Sequence, residues 1–361
     1  MGESILDRVV CARCKGSLDP RAEAIRCERC GQEYPRVGRI PVLLPRPVDH
    51  VDMWRQQLGL VIRQGRDTQN GIEAEARAHE SNPAVFARLR SLGRAVHDQF
   101  DDLAARVGPA LGGPLPPNER TGLPRGVVEY TYLVYRDWGW EEAGHLENSR
   151  SLAAVVARLS RPALGRTLIL GAGACRLAYD LHRFGALETA VLDIDPFLLV
   201  IAEAVVRGET VRLTEATATV PEAAKVSRVW NLSAPAGPLG DDAFHFFFAN
   251  GLDPPFADAS FDTVVTPWFI DQVATDLPPF LSTVARLLRP DGRWINHGPL
   301  IYPANAPLSQ RHPREEIFDL AAAAGLHVKD WSSESCQYLV SPLSGRGRVE
   351  WVLTFEAVRE G

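Results

Sequence analysis

The sequence predicts an α/β protein whose largely parallel sheet lies behind a small four-cysteine ribbon and a helical connector. Three observations carry this expectation. Two Cys-x-x-Cys pairs, Cys11/Cys14 and Cys27/Cys30, stand close together near the N-terminus. From about Val127, short apolar runs of strand length alternate with runs of helical period, the texture of βαβ units. One of those runs, Thr167–Leu170, leads straight into Gly171-Ala172-Gly173. The expected organisation is ribbon over residues 1–47, connector over 48–125 and sheet domain over 126–361.

The chain has 361 residues, 45 Asp+Glu against 39 Lys+Arg, and a formal net charge of −6. That length leaves room for two or three domains with real cores. An apolar share of 45% with 23% charged residues excludes wholesale disorder. No apolar run reaches the roughly 18 residues needed to cross a bilayer. The opening MGESILDRVV holds two acidic residues and no long apolar stretch, unlike a secretory signal. A cytoplasmic protein with no membrane partner is expected. The mild acidity speaks against a general nucleic-acid binder.

In the ribbon, twelve residues separate Cys14 from Cys27. Each knuckle aims two thiolates at one point and the hairpin between them returns the chain, as a tetrahedral zinc site requires. Two disulfides or four free thiols are the alternatives, but disulfides are out of place in a reducing compartment. Cys11, Cys14, Cys27 and Cys30 are therefore the expected metal ligands. The whole stretch, CARCKGSL…IRCERCGQEYPRVGRIPVLLP, resembles the small zinc-ribbon family whose members activate methyltransferases as separate subunits. It is also similar to the ribbon fused ahead of some ribosomal RNA methyltransferases. Four thiolates leave no open coordination position, so the expected zinc is structural, and a unit this small needs such a staple. Residues 1–48 hold nine basic and six acidic side chains, which permits RNA contact, although a solvated surface is the plainer reading.

Pro45 and Pro47 mark a boundary. Beyond it Val85, Leu89, Leu92, Val96, Phe100 and Leu103 recur at helical spacing, and the run from Gly112 to Pro117 ends the pattern. In the sheet domain, strands are predicted at Thr167–Leu170, Ala190–Leu192, Phe261–Thr266 and Arg293–Asn296. Helices are predicted over Arg176–Phe184 and Pro279–Arg289, the latter stopped by Pro290-Asp291-Gly292. Val349–Ala357 reads as a final, antiparallel edge strand.

Glycines between a strand and a helix let a ligand approach the backbone, and the helix N-terminus offers free N–H groups to an anion. About twenty residues on, Asp193, followed by Ile194, ends the second strand where it could hold ribose hydroxyls. These two features fit a dinucleotide or S-adenosylmethionine equally. The segment Asn250-Gly251-Leu252-Asp253-Pro254-Pro255-Phe256 through Ser260-Phe261-Asp262 resembles the methyltransferase segment in which an acidic residue precedes "LPF…SFD". RLLRPDGRWI resembles the same superfamily's helix–PGG–strand passage. The resemblance implies a Rossmann-like seven-stranded methyltransferase sheet of class I with S-adenosylmethionine as cofactor. Asn250 stands where the superfamily has an acidic residue for the adenine amine; its amide oxygen can accept the same hydrogen bond.

A closer likeness follows. Trp268-Phe269-Ile270-Asp271 and Trp294-Ile295-Asn296-His297-Gly298-Pro299-Leu300-Ile301-Tyr302 resemble "FFID" and "WINLGPLLYH" of the carnosine N-methyltransferase family. Tyr135-Arg136-Asp137-Trp138 resembles its "VRDW", and the segment Gly171 to Ala178 its "GAGLGRLA". The resemblance implies that Arg136 pairs with the cofactor's methionine carboxylate. Gly171, Ala172, Gly173, Arg176, Asp193, Ile194, Asn250, Gly251 and Thr266 complete the implied cofactor set. Asp271 would orient and deprotonate the nucleophile, with a helix N-cap as its plain alternative. His297 and Tyr338 join it as catalytic candidates, His297 being equally a base or a packed strand histidine.

Departures accompany the matches. Pro303 replaces the family's histidine, Val349 and Trp351 stand near the place of its C-terminal tyrosines, and Leu192-Asp193 replaces its "NE". These speak against carnosine itself as the acceptor. Cys175 and Cys336 are expected to be buried small residues. The expected function is an S-adenosylmethionine-dependent N-methyltransferase acting on a small amine- or imidazole-containing molecule or peptide. The alternatives are an RNA methyltransferase that grips its substrate with the ribbon, and a non-enzymatic scaffold.

Overall fold

The protein is described by a computed structural model covering residues 4–118, 127–273 and 277–361. The expected boundary at 125–126 lies outside the described residues. The N-terminal unit contains β1 (Ile25–Arg26) paired with β2 (Glu33–Tyr34), then β3 (Arg36–Val37) paired with β4 (Ile40–Leu43). Two long helices follow, α1 (Pro47–Ala78) and α2 (Pro83–Leu111). Each has proline in its first turn, where no N–H is needed. Asn82 caps α2 by accepting from Val85 N, and Gly112, left-handed at φ 78°, ends it.

The chain then forms α3 (Val127–Trp138), α4 (Glu141–Val156), β5 (Gly165–Leu170), α5 (Arg176–Gly185), β6 (Ala186–Asp193) and α6 (Pro196–Val206). A hairpin of β7 (Val211–Ala216) and β8 (Ser227–Leu232) leads to β9 (Phe244–Ala249) and β10 (Phe261–Pro267). The remaining elements are α7 (Leu277–Leu287), β11 (Leu288–Pro299), α8 (Arg314–Ala323), β12 (Leu326–Tyr338) and β13 (Arg348–Arg359).

The main sheet runs β12-β13-β11-β10-β5-β6-β9-β4-β3. Strands β9, β6, β5, β10 and β11 are parallel, and β13 is antiparallel to both β11 and β12. Seven of these strands form the expected methyltransferase sheet. The other two come from the ribbon's tail, with β4 parallel to β9 through Val42↔Phe248 and Leu43↔Ala249. The ribbon therefore extends the sheet. Its Ile5, Val9 and Leu18 share one apolar core with Phe256, Phe261 and the buried face of α7, while Trp54, Leu58 and Val61 of α1 enter the core on the sheet's other side.

Two strand expectations are corrected. β13 is antiparallel but internal, because β12 covers its outer side. Pro290-Asp291-Gly292 does not separate helix from strand: β11 already begins at Leu288, and these residues form an irregularity between the pairs Phe261↔Leu288 and Thr263↔Arg293. Asp291 takes φ 61° there, a local reversal absorbed inside the strand.

Candidate active site

A cleft of about 730 Å³ opens at the carboxyl ends of β5, β6, β9 and β10. Ligand crevices of open α/β sheets lie at such strand ends. The loop after β5 is folded back by two backbone bonds, Gly171 N and Ala172 N both donating to Leu192 O at 3.0 Å. Gly173 N donates to Asp193 Oδ2 at 2.7 Å, while Ile194 N and Asp195 N donate to Oδ1 at 2.7 and 2.9 Å. Asp193 thus fixes both loops of the cleft and keeps one acceptor site, on Oδ2, for a ligand. Burial nevertheless pushes its pKa up. Ile194 stands beside it in the cleft wall, 57% exposed.

The glycines serve an unexpected neighbour. A Cβ on Gly171 (φ 68°) would lie 2.4 Å from Phe269 Cδ2, and one on Gly251 would lie 2.7 Å from its Cζ. Phe269 fills the space between the two loops and floors the cleft. Gly173 (φ 55°), with only Leu133 at 3.8 Å, faces open space. Asn250 also lines the cleft, its Oδ1 accepting from Leu252 N at 3.0 Å.

Arg136, at the end of α3, donates from Nε to Asp137 Oδ1 at 2.6 Å and from Nη1 to Glu147 Oε1 at 3.0 Å. Nη2 has no hydrogen-bond partner among the described residues. Despite burial, Asp137, Tyr338 and Glu147 hold this guanidinium in its charged form. Arg176 is 6% exposed and bonds Asp180 and the carbonyl of Asp137, tying α5 to α3. Thr266 lies beneath the cleft, fully buried, donating to Asn296 Oδ1 at 3.0 Å and accepting from Trp294 Nε1 at 2.9 Å.

The far end of the cleft is aromatic. Trp268 adopts φ 45°, an outlier for a bulky residue. Gly298 makes room for it, since a Cβ there would lie 2.8 Å from the Trp268 backbone. Its ring stacks on Tyr338 at 4.9 Å and meets His297 edge-on at 4.8 Å, and its Nε1 donates to Glu350 Oε2 at 2.8 Å. Tyr338 lines the cleft, whereas His297 lies behind Trp268. His297 pairs Nδ1 with Thr354 Oγ1 at 2.8 Å and leaves Nε2 without a partner. Burial, helped by Arg136, lowers its pKa to about 3, so the ring is neutral at ordinary pH.

Asp271 follows the cleft-lining Phe269 and precedes the cleft-lining Gln272. Its side chain is 2% exposed; Oδ2 accepts from Ile301 N at 3.3 Å and Oδ1 has no partner. Burial raises its pKa to about 6. The site also uses residues that the sequence reading passed over. Met53, Trp54 and Gln57 of α1 form one wall, and Trp54 packs on Phe248 at 4.9 Å. Glu147, Arg348 and Glu350 complete the aromatic end.

On the sheet's edge, the four ribbon sulfurs lie within 4.8 Å of one another, with Cys11–Cys30 and Cys14–Cys27 both at 3.6 Å. Tetrahedral thiolates at about 2.3 Å from zinc stand at nearly such separations. Burial opposes ionisation of Cys11, but hydrogen bonds from Tyr34 and from the backbone of Cys14 and Arg13 bring its pKa down to about 6. The set fits a zinc ion. Cys175 is fully buried and Cys336 partly so.

Residues 193–346 match the family described as carnosine N-methyltransferase. The chain resembles that family. A carnosine N-methyltransferase of Dictyostelium discoideum is 31% identical over 87 residues, covering 24% of this chain and 17% of that protein. The chain therefore spans well under a quarter of that relative's length. Among solved structures, the Haemonchus contortus phosphoethanolamine N-methyltransferase 2 with S-adenosyl-L-methionine is 16% identical, covers 69% of this chain and 62% of its own, and gives a TM-score of 0.43. The YcgJ protein of Bacillus subtilis is 14% identical over 59% of this chain and 99% of its own, at 0.39. Those scores are low, and the methyltransferase fold is read from the strand order itself. The carnosine N-methyltransferase match takes in Asp193, Asn250, Asp271, His297 and Tyr338; Arg136 and the glycine loop precede it.

Proposed function

We propose that the chain is an S-adenosylmethionine-dependent N-methyltransferase acting on a small amine- or imidazole-containing molecule or peptide. The observation that carries this reading is a cleft holding the loop at 171–173, the carboxylate of Asp193 and the free Nη2 of Arg136, with Asp271 set beside its far end. The match to carnosine N-methyltransferases over that far end supports it.

When bound, the cofactor supplies a methyl on sulfur with a neutral thioether as leaving group. Arg136 Nη2, left over from its bonds to Asp137 and Glu147, would hold the cofactor's carboxylate by a charge-assisted bond in a dry setting. Asp193 would accept from a ribose hydroxyl, and Ile194 with Asn250 would border the adenine. Trp268 and Phe269 exclude water and align the acceptor. Asp271 Oδ1, which has no partner of its own, would take the proton that the acceptor nitrogen gives up. With a pKa raised to about 6, that carboxylate is ionised at neutral pH yet closer to proton-transfer range than an ordinary aspartate. His297, neutral and behind Trp268, packs the aromatic end.

The four cysteines hold a structural zinc ion. The ribbon spends its surface on the chain's own cleft loop: Lys15 Nζ donates to Asp253 Oδ1 at 2.6 Å, Val10 N to Pro255 O and Ala257 N to Arg8 O. The zinc thus supports the cleft from outside. Cys11→Ser with Cys14→Ser should release about one equivalent of zinc and lower the unfolding temperature. Metal analysis of the native protein checks this, and metal-free native protein contradicts it. For the enzyme, transfer of labelled methyl from S-adenosylmethionine into small molecules with none into RNA is expected; label in RNA alone would reverse the substrate class.

A further inference from the structure

A second cavity, of about 530 Å³, opens on the seam between the ribbon and the sheet and shares no lining residue with the cleft. It exists because β4 and β9 pair only at Val42↔Phe248 and Leu43↔Ala249. Ahead of those pairs, Ile40, Pro41, Phe246 and Phe247 line the cavity as apolar walls. The polar lining is cationic: Arg21, Arg36, Arg39 and Arg207 reach it against the carboxylates of Glu203 and Asp241. Those two acids are engaged by Arg39 and Arg207, Asp241 Oδ1 lying 2.7 Å from Arg207 Nε. Arg36 has no carboxylate. Its Nη1 donates to Arg39 O at 3.0 Å and its Nη2 to Pro20 O at 2.6 Å, and its Nε has no partner among the described residues. Burial, unrelieved by any acid, lowers its pKa. A guanidinium held by carbonyls alone still lacks a counter-ion. Arg21 is paired through Nη2 with Asp7 and through Nε with Asp19, which leaves Nη1 free among the described residues.

His245 also lines this cavity, although its side chain is only 6% exposed. Its Nε2 pairs with Glu188 Oε1 at 2.8 Å, and the same carboxylate accepts from Ser4 Oγ at 2.5 Å and Ile5 N at 2.9 Å. Despite burial, those three bonds hold the pKa of Glu188 down, so Nε2 carries the proton. Nδ1 has no partner among the described residues. We propose that this seam cavity binds a phosphate monoester with an apolar organic part, held between ribbon and sheet. Its donors come from three separate side chains: Arg36 Nε, Arg21 Nη1 and, once the ring is protonated, His245 Nδ1. That arrangement suits a tetrahedral anion, whereas a carboxylate takes one planar fork. A dianion beside the ring favours the protonated form. The organic part packs on Ile40, Phe246 and Phe247. Because the walls come from both units, the ligand binds only the assembled chain and stabilises it.

Calorimetric titration of the full chain with phenyl phosphate, inorganic phosphate and benzoate, at physiological ionic strength, tests the assignment. Phenyl phosphate should bind saturably and more tightly than either of the others, and should raise the melting temperature followed by circular dichroism. Arg36→Gln should weaken it about tenfold to a hundredfold. Arg21→Ala, at a side chain 52% exposed, keeps the fold and should weaken it about threefold to tenfold. Should Arg36→Gln fail to fold, Arg21→Ala decides. Arg136→Ala, in the cleft, should leave the affinity within about twofold of the parent. No binding of phenyl phosphate, equal binding of benzoate, unchanged affinity in Arg21→Ala, or affinity lost in Arg136→Ala would overturn the proposal. None of these results bears on S-adenosylhomocysteine binding, so the methyl-transfer reading stands or falls separately.

Discussion

At the glycine-loop end of the cleft the polar groups answer one another, Arg136 Nη2 excepted: both oxygens of Asp193 accept backbone N–H bonds, and the amides of Gly171 and Ala172 are engaged by Leu192 O. At the Trp268 end they do not. Asp271 Oδ1 and His297 Nε2 are buried without partners, Arg348 keeps two free nitrogens, and Trp268 sits in a left-handed conformation. Each unsatisfied buried group costs stability, and such costs gather where a protein acts on something else. The satisfied end behaves as a prebuilt cradle, and the unsatisfied end as the place where an acceptor completes the bonding.

The comparison is sharpest at Asp271. Asp271→Asn should cost on the order of a hundredfold to ten-thousandfold in single-turnover methyl transfer, while S-adenosylhomocysteine binds as before. In the parent, the rate should climb as pH passes through about 6 and then level off. Stability should move the opposite way. The folded pKa lies above the ordinary aspartate value of 3.8, so between about 4 and 6 the folded chain holds this proton more tightly than the unfolded one. Its contribution to stability therefore falls as pH rises through that window. Above it the neutral variant should be the more stable of the two, by on the order of a few kcal/mol, read as a higher midpoint in denaturant. An inactive variant that is also less stable would mean that Asp271 is structural.

At the cradle end, Arg136→Ala should weaken S-adenosylhomocysteine binding tenfold to a hundredfold, a charge-assisted bond's worth, in a calorimetric titration. Unchanged affinity would move the cofactor's carboxylate elsewhere. Gly171→Ala should distort the cradle by driving Phe269 off the floor, with a loss of about 1–3 kcal/mol in stability. Trp268→Phe, which severs the bond to Glu350, should change cofactor affinity least and acceptor KM by a few-fold. A larger effect on the cofactor than on the acceptor would erase the distinction between the ends.

The two ends also differ in how far the sequence announces them. The cysteine knuckles, the Gly-x-Gly turn and Asp193 act through neighbours close along the chain or through strand–loop–helix order, and spacing alone exposes them. The aromatic end is held by distant pairs: Trp268 bonds Glu350 82 positions away, and Leu339 reaches Glu147 across 192. No local pattern encodes such partners. β12 escaped because its solvent-facing stretch, Ser332-Ser333-Glu334-Ser335, lacks the apolar alternation of a half-buried strand. The ribbon's entry into the sheet through Val42 and Leu43 was hidden for the converse reason, since an apolar tail reads equally well as the core of a separate domain.

The central claim is that this cleft cradles an adenosyl cofactor. Titrating the intact chain with S-adenosylhomocysteine tests it most directly: the account predicts saturable binding that Asp193→Ala removes and Asp271→Asn leaves in place. A folded protein that gives no binding heat at millimolar ligand would contradict it.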